Sequence, residues 1–279
     1  MSSVQNNLSD FKHCIKMLLK NIIWSCYKLG IQKTINTWRE YCSEYKTLKE
    51  QKGSNNDFIL GEKYPVFMDK YSSGGTAKGA YFYQDLLVAQ RVFENKPDLH
   101  IDVGSRIDGF VAHVASFRHI QILDIRSLEA NIKNISFIQQ DFMSPVKDEM
   151  IESCDSLSCL HALEHFGLGR YGDPINYNGH ITGLENLYKL LKPNGKLYLS
   201  VPIGSPQRIE FHAHRIFSIN YLLRQFEGRY RIDNFSYVDD DGKLHENTIL
   251  NENDIKNNYG CKGNGVDGCG IFEMTKLVH

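Results

Sequence analysis

The pattern of apolar and polar positions divides the chain into two parts. Over residues 8–50, apolar side chains recur at steps of three and four, which is the helical period and predicts a helical extension. From residue 99 onward, short apolar runs alternate with helical segments, which predicts parallel strands joined by right-handed crossovers. A polar break at 52–57 separates the two patterns. We therefore predict a helical extension over 1–57 and an α/β domain over 58–279.

Individual strands and helices follow from the same pattern. Strands are predicted at 99–103, 120–124, 135–139, 154–160, 196–201, 230–238 and 270–278. Helices are predicted at 109–117, 181–191 and 217–226, the last capped by Ser218. The final strand follows an Asn- and Gly-rich loop, which suits an antiparallel insertion into the sheet. Residues 239–242 read Asp-Asp-Asp-Gly and predict a hairpin turn.

Composition and charge narrow the class of protein. The 279 residues carry 32 Lys and Arg against 33 Asp and Glu, a net charge of -1 that argues against a protein that coats nucleic acid. No apolar run reaches 18 residues and the N-terminus shows no secretory signal, so a cytoplasmic protein is expected. The seven cysteines form no CxxC, which favours reduced thiols and no bound metal.

The N-terminal segment is basic, with nine Lys or Arg against four Asp or Glu over residues 1–52. Its polar side carries Lys12, Lys16, Lys20 and Lys28. Two interpretations remain open. The helix packs on the main domain or on a second copy in a homo-oligomer, or it lies on an anionic membrane surface as a peripheral contact.

Acidic residues follow three successive strands of the predicted sheet. Ligands of parallel sheets bind outside the carboxyl ends of the strands, so these positions are the informative ones. Asp102 and Gly104 follow the first strand, Asp124 the second, and Asp141 with Phe142 the third. A carboxylate at Asp124 could accept both hydroxyls of a ribose, and one at Asp141 could accept an adenine amino group. Each acid alone could also be a helix cap or a solvated loop residue, but the three together predict a ribonucleoside site.

The fourth strand ends in a polar loop. The ionisable residues there are His161, Glu164, His165, Arg170, Tyr171 and Asp173. A histidine oriented by a carboxylate can take a proton from an acceptor hydroxyl, so His165 or His161 with Glu164 is the candidate catalytic group. The alternative is a structural network in which Arg170 pairs with Asp173 and fixes a glycine loop.

Two further segments could border this loop. His214 and Arg215 follow the fifth strand and could contact an acceptor, although an ordinary surface loop fits equally. Tyr81, Tyr83 and Gln84 could form a lid or could simply pack against the domain.

Several short runs carry a family resemblance. IDVGS, ILDIR, QQDFM and LKPNGKLYLSVP resemble the class I S-adenosylmethionine-dependent methyltransferases over roughly residues 99–240. LSCLHALEHFGLGRYGDPI and VGSRIDGF resemble one branch of them, the domain-of-unknown-function 268 family. The resemblance implies a Rossmann-like α/β fold, with a seven-stranded, mostly parallel sheet, a reversed last strand and helices on both faces.

The same resemblance implies S-adenosylmethionine as cofactor. It assigns Asp102 and Gly104 to the methionine end, Asp124 to the ribose, and Asp141 with Phe142 to the adenine. Ser105 and Arg106, beside Gly104, are further candidate cofactor-binding residues. The chain departs from the family where Arg106 and Asp108 replace expected glycines. Arg106 could pair with the cofactor carboxylate, or its bulk could narrow the site.

These observations together predict a methyltransferase that acts on a small polar acceptor. By analogy with the family, the acceptor would be a hydroxyl of a sugar or nucleotide sugar in surface glycan biosynthesis, held by Arg170, Tyr171, Asp173, His214 and Arg215. Two alternatives remain. The protein could keep the fold in a binding or structural role, or it could run hydrolase or epimerase chemistry with its His/Glu/Asp cluster.

Overall fold

The computed structural model describes residues 30–263 and 268–278, together with Leu19, Lys20, Ile23, Trp24 and Tyr27. The chain divides into two compact units, Met1–Thr76 and Ala77–His279. The domain boundary expected from the sequence, between residues 57 and 58, stays a prediction. None of the helices in the described part of the chain combines the length and apolarity needed to cross a membrane.

In the continuously described part of the first unit, from residue 30 onward, one long helix, α1 (Ile31–Lys52), begins after Gly30 and ends before Gly53. Trp38 and Tyr41 lie on one side of this helix, and both rings pack edge-on against the buried ring of Phe67. The helix predicted over 8–50 is therefore interrupted at Gly30. Most of its earlier part, including Lys12, Lys16 and Lys28, lies outside the described residues.

The second unit is built on one sheet of eight strands. The strands are β1 (His100–Val103), β2 (Ile120–Asp124), β3 (Ile135–Gln139), β4 (Cys154–Leu160), β5 (Leu191–Pro202), β8 (Tyr230–Val238), β9 (Leu244–His245) and β10 (Cys269–Lys276). Their order is β3-β2-β1-β4-β5-β10-β8-β9. Strands β1 to β5 pair in parallel, and β10 is antiparallel to both β5 and β8. The Rossmann-like fold with a reversed last strand is thus confirmed.

The predicted count of seven strands was one too low. The extra strand, β9, folds back on β8 through the turn at residues 239–243, where the N–H of Gly242 donates to the carbonyl of Asp239. The hairpin turn itself is confirmed. A two-residue strand carries too short an alternation to be seen in sequence. A separate hairpin, β6 (Arg208–Glu210) with β7 (His214–Ile216), lies between β5 and β8 along the chain.

Within the described residues, five α-helices accompany this sheet. They are α2 (Ala80–Asn95), α3 (Ala112–Ala115), α4 (Gly179–Leu190), α5 (Ile219–Phe226) and α6 (Glu252–Lys256). The helix predicted over 109–117 is instead a π-helical turn at Ile107–Val111 followed by the short α3. The cause is Gly109, whose backbone is not helical and whose missing side chain leaves room for Asp85: a Cβ there would lie 2.4 Å from the Asp85 carboxylate.

Apolar side chains cover both faces of the sheet. Along β2, Ile120 and Ile122 face the cluster that holds α2 and α3, whereas Leu123 faces the cluster that holds α4 and α5. This alternation is the two-residue period of a strand buried on both sides. Helices on both faces are therefore confirmed. Because β1 has β2 on one side and β4 on the other, the chain order reverses there, which is where ligands of such sheets bind.

Candidate active site

A cleft lies at the carboxyl ends of β1 to β4. It consists of two adjoining pockets, both open to solvent, which share Gly104, Asp124, Arg126, His161 and Tyr171 as lining residues. Asp141, Phe142, His165 and Asp173 line the first pocket, and Ser105, Arg106 and Arg170 line the second. The structure thus brings most of the candidate site residues to one place.

The turn after β1 forms the floor of the cleft. Gly104 has a φ of +74°, and a Cβ on it would lie 2.9 Å from that of Ala162, so the turn needs glycine. Asp102 is fully buried beneath this turn, where its carboxylate accepts hydrogen bonds from the N–H of Ser105 at 3.0 Å, the Ser105 hydroxyl at 2.7 Å and the Ser158 hydroxyl. Asp102 therefore stabilises the turn through hydrogen bonds. It was expected to contact the cofactor, but it does not line the cleft.

A second buried acid accompanies Asp102. Asp85, on α2, accepts hydrogen bonds from the Gln84 amide and the N–H of Phe110. Burial raises the pKa of Asp85 and of Asp102 to about 6 each. Asp85 could not be identified from the sequence, because only the fold brings the helix before β1 next to the turn after it.

Arg126 forms a bidentate ion pair with the carboxylate of Asp124. Its Nε donates to Oδ1 at 3.0 Å and its terminal nitrogen to Oδ2 at 2.6 Å, while its own N–H donates to Oδ1 at 2.8 Å. The guanidinium also lies 4.6 Å from the ring centre of Tyr171. The sequence analysis missed Arg126, although its position two residues after Asp124 is a local signal for such a pair.

Asp141 and Phe142 lie where β3 ends. The Asp141 carboxylate accepts from the N–H of Met143 at 2.9 Å and from the Ser144 hydroxyl at 3.2 Å, so it stabilises its own loop while lining the cleft. The Phe142 ring is buried beside it. The amide of Asn186, on α4, donates to the carbonyls of Phe142 and Ser144 and fixes the loop from behind.

Arg106 does not fill the cleft. It is exposed and binds Asp108 through two hydrogen bonds of 3.0 and 2.7 Å. The side chain of Arg106 therefore does not narrow the site, which was one of the two roles considered for it. Pairing with a cofactor carboxylate stays a prediction, and would require Arg106 to leave or share Asp108.

His161 stands at the end of β4 in a strained conformation. Its φ of +49° is rare outside glycine, and such strain persists where the surroundings enforce it. The ring of Tyr81, on α2, lies 4.9 Å from the imidazole, and Nδ1 is 3.1 Å from the Glu164 carboxylate. Burial opposes a charge on His161, but Cys269 and Glu164 outweigh it and raise its pKa well above the usual value. His161 is therefore a buried cation paired with Glu164, whose pKa is lowered despite its burial. Tyr81, considered above as a lid residue, packs on this cation.

His165 is the neutral imidazole of the site. Its Nδ1 lies 2.7 Å from the carbonyl of Ala213, which can only accept, so Nδ1 carries the proton and Nε2 keeps its lone pair. Burial lowers the pKa of His165. Its Nε2 is 3.7 Å from the same Glu164 oxygen that holds His161. The two histidines thus share one carboxylate in opposite protonation states.

The glycine loop after His165 is fixed by Asp173. Its carboxylate accepts the N–H groups of Gly167, Gly169 and Tyr171 at 2.8 to 3.1 Å. Arg170 does not pair with it, contrary to the network considered above, and donates instead to the carbonyl of Ala213 at 3.0 Å. Asp173 still lines the cleft, but its oxygens are largely used by the loop.

Arg215 and His214 lie on β7. Arg215 is buried and donates to the carbonyls of Glu164, Phe166, Asn176 and Tyr177. It thus fixes the two ends of the polar loop and does not line the main cleft, unlike the acceptor contact expected of it. His214 is half-buried, with its ring 6.5 Å from that of His165.

Among the described residues, no group of three His, Cys, Asp or Glu could hold a metal ion. Cys154 and Cys159 are buried in β4, and burial raises the pKa of the Cys154 thiol to about 12.

Known structures with a similar fold include several methyltransferases. One is 1,6-didemethyltoxoflavin-N1-methyltransferase of Burkholderia thailandensis, solved with 1,6-didemethyltoxoflavin and S-adenosylhomocysteine (TM-score 0.49, 11% identity, 72% of this chain and 80% of that chain). Another is the N-methyltransferase NodS of Bradyrhizobium japonicum WM9 (TM-score 0.47, 10% identity, 73% and 100%). No curated protein matches the sequence.

A family model matches residues 110–259, which is more than half of the chain and includes the whole polar loop after β4. The match agrees with the resemblance drawn from GLGRYGDP and its neighbours. The chain belongs to the family described as "Caenorhabditis protein of unknown function, DUF268".

Proposed function

We propose that this protein transfers a methyl group from S-adenosylmethionine to a hydroxyl of a small polar acceptor. The observation that carries the proposal is the continuous cleft at the switch point of the sheet. It joins the Gly104 turn and the acids that follow β2 and β3 to a neutral imidazole, His165. A nucleoside-binding edge and a proton acceptor are the two parts that such a reaction needs.

The residues present fit an adenosine group. Asp124 would hold the ribose, Phe142 and Asp141 the adenine, and the Gly104 turn the methionine end. When bound, S-adenosylmethionine supplies a methyl group activated by a positively charged sulfur. Arg126 already uses two acceptor positions on Oδ1 of Asp124 and one on Oδ2. Oδ2 therefore keeps room for one hydroxyl, and binding of both ribose hydroxyls requires Arg126 to give up a contact.

His165 would take the proton of the acceptor hydroxyl. It is neutral, its Nδ1 proton is held by the Ala213 carbonyl, and Nε2 can accept. Glu164 lies 3.7 Å from Nε2 and would stabilise the imidazolium once the proton has moved. His161, already charged, keeps Glu164 ionised for that purpose.

For the acceptor we propose a sugar or nucleotide-sugar hydroxyl. What supports a polyhydroxylated acceptor is the wall of the cleft near His165, where Tyr171 and Arg170 supply polar groups. The His214 ring lies 6.5 Å from that of His165 but does not line the cleft. The link to surface glycan synthesis remains an analogy with the family.

The test is calorimetric titration of S-adenosylhomocysteine into the wild type and into Asp124→Ala. Loss of the carboxylate should weaken binding by about 1–3 kcal/mol, the range for a lost hydrogen bond to a charged group. Asp148→Ala, an exposed acid outside the cleft, is the matched control and should bind as the wild type does. Equal affinity in Asp124→Ala would refute the ribose assignment, and absence of heat and of a thermal shift at millimolar ligand would refute cofactor use.

The bond from Arg126 to Asp124 favours a second candidate, a methyltransferase-fold protein that does not transfer methyl groups. In that case the wild type would fail to bind S-adenosylhomocysteine, while Arg126→Ala would gain binding. Turnover of a sugar substrate without any methyl donor would instead indicate hydrolase or epimerase chemistry.

A further inference from the structure

A separate cavity, open to solvent, lies beside the polar loop and outside the cleft described above. Its walls come from the start of α4, the β6–β7 hairpin and the start of α5; the lining residues are Tyr177, Asn178, His180, Gln207, Arg208, Ile209, Arg215, Ile216, Phe217 and Tyr221. The segment 164–166 separates it from the cleft. Arg215 in this cavity donates to the carbonyls of Glu164 and Phe166, while His165 and Phe166 line the cleft.

The cavity contains a buried positive charge without an anionic partner. Arg215 is only 3% exposed, and no carboxylate of the described residues forms an ion pair with it. Its terminal nitrogens donate to backbone carbonyls, and its Nε is buried without a hydrogen-bond partner among the described residues. Asp173 is near enough to favour the charge but makes no contact with it. Burying an unpaired charge is costly, which favours an anion at this place.

Two helices begin at the same cavity. Tyr177, Asn178 and His180 surround the first turn of α4, and Phe217 and Tyr221 that of α5. Neither helix has an acidic residue in its first turn, and none of the cavity's lining residues is a carboxylate. Helix N-termini carry a partial positive charge, so both add to the field of Arg215.

Other lining groups can donate hydrogen bonds to an anion. Gln207 is exposed at the rim, and Arg208 reaches the same rim while paired with Glu210. Inside, the Tyr221 hydroxyl lies 2.7 Å from Nε2 of His180. Burial lowers the pKa of His180 to about 4, so this histidine is neutral and adds no charge of its own.

We infer that this cavity binds the phosphate or diphosphate group of a phosphorylated acceptor, next to the segment that carries His165. Phosphate is the anion that arginine and helix N-termini recognise together. The assignment of the anion to the acceptor rests on the proposed function, whereas the anion site itself does not.

The test is calorimetric titration of inorganic pyrophosphate into the wild type, Gln207→Glu and Gln51→Glu. Gln207 accepts hydrogen bonds from the N–H and hydroxyl of Ser218 through its oxygen, which a glutamate can also do, so the substitution adds a charge while keeping these contacts. We expect Gln207→Glu to bind pyrophosphate about tenfold more weakly or worse, by like-charge repulsion. Gln51→Glu, on the exposed side of α1, is the matched control and should bind as the wild type does.

Equal affinity in Gln207→Glu, or no binding of pyrophosphate at millimolar concentration, would overturn the anion site. Competition between pyrophosphate and S-adenosylhomocysteine would also overturn it, because the anion would then occupy the main cleft. Failure of this inference is separable from failure of the proposed function, since S-adenosylhomocysteine binding is measured on the same variants.

A second probe, glucose 1-phosphate, tests the assignment to the acceptor. Binding that is weakened by Gln207→Glu supports a phosphorylated acceptor. Binding of pyrophosphate without binding of glucose 1-phosphate overturns that assignment and indicates a site for inorganic anions.

Discussion

At the scale of single residues, Glu164 sets different protonation states for two histidines. One of its oxygens lies 3.1 Å from Nδ1 of His161 and 3.7 Å from Nε2 of His165. A carboxylate this buried can stabilise only one full imidazolium well, because a second positive charge would be repelled by the first. His161 is closer and takes the proton. His165 is left neutral, which is the state that a general base requires.

His165→Gln should lower the rate of methyl transfer by about 10²–10⁴-fold, the usual contribution of a general base. Affinity for S-adenosylhomocysteine should stay within about twofold, because the cofactor edge lies on other strands. The measurement is steady-state turnover together with calorimetry. His245→Gln, a histidine of the β9 hairpin, provides the control. Near-normal turnover would remove His165 from the role of base.

The same two residues set the expected pH dependence of turnover. The base form of His165 is lost only as pH falls through its pKa, which burial has lowered, so activity should persist below pH 6.5. The charge on His161 is lost only as pH rises through a pKa raised well above 6.5. We therefore expect a plateau around neutrality. A rate that rises steeply between pH 7 and 8 would contradict this arrangement.

At the scale of elements, α4 stabilises the cleft from outside it. The helix packs Leu184 and Leu187 into the core and directs Asn186 at the loop after β3. The two amide hydrogen bonds of Asn186, at 2.7 and 2.9 Å, satisfy the carbonyls of Phe142 and Ser144. The loop has no α-helix behind it along the chain, because β3 and β4 are joined by irregular chain and one short 3₁₀ turn. Its conformation therefore depends on α4.

Asn186→Ala should lower the free energy of unfolding by about 1–3 kcal/mol, since two loop carbonyls lose their donor. It should also weaken binding of S-adenosylhomocysteine, because the adenine loop loses its support. Urea denaturation and calorimetry measure the two effects. Lys189→Ala, exposed on the same helix, should change neither. Unchanged stability with unchanged affinity would show that the loop holds itself.

At the scale of the whole molecule, the last strand completes the sheet. β10 inserts between β5 and β8, so residues close to the C-terminus become central to the fold. At its end, Lys276 is 4% exposed, and its ammonium donates to the carbonyls of Tyr188 and Leu191 at 3.0 and 2.7 Å. These carbonyls belong to the C-terminal end of α4, where a positive charge is favourable.

Lys276→Met keeps the aliphatic stem but removes this donor, so we expect the free energy of unfolding to fall by about 1–3 kcal/mol. Urea denaturation gives the value, with the exposed Lys243→Met as control. If the two variants unfold at the same urea concentration as the wild type, the contact contributes nothing to stability.

The sheet could be predicted from sequence because most of its strands are short apolar runs, and the central ones are buried on both faces. Apolar runs at 120–124, 135–139 and 154–160 match β2, β3 and β4 residue for residue. Local caps were equally readable: the Ser218 hydroxyl accepts from the N–H of Tyr221, as expected of an N-cap. Two features could not be predicted from the sequence. β9 has only two residues, too few to show an alternation, and the π-turn at Gly109 depends on Asp85, which lies on another helix.

The site residues also divide into those that the sequence predicts and those that depend on tertiary contacts. Strand ends placed Asp124, Asp141, His161 and His165 at one edge, because parallel strands carry their carboxyl ends to the same side. The sequence did not reveal that Arg126 pairs with the Asp124 carboxylate. Nor did it reveal that the buried Arg215 donates hydrogen bonds to carbonyls of the polar loop. Each of these depends on where a flexible side chain finds its partner, which residue type alone leaves open.

The sequence by itself thus determined the order of strands and helices, the acids at the strand ends and the family, since local periodicity and contiguous motifs encode them. Only the tertiary structure decided which histidine is charged, which arginine is buried and where a second cavity opens. Those properties arise from burial and from contacts between segments such as 161–165, 213–215 and 269, which lie far apart along the chain.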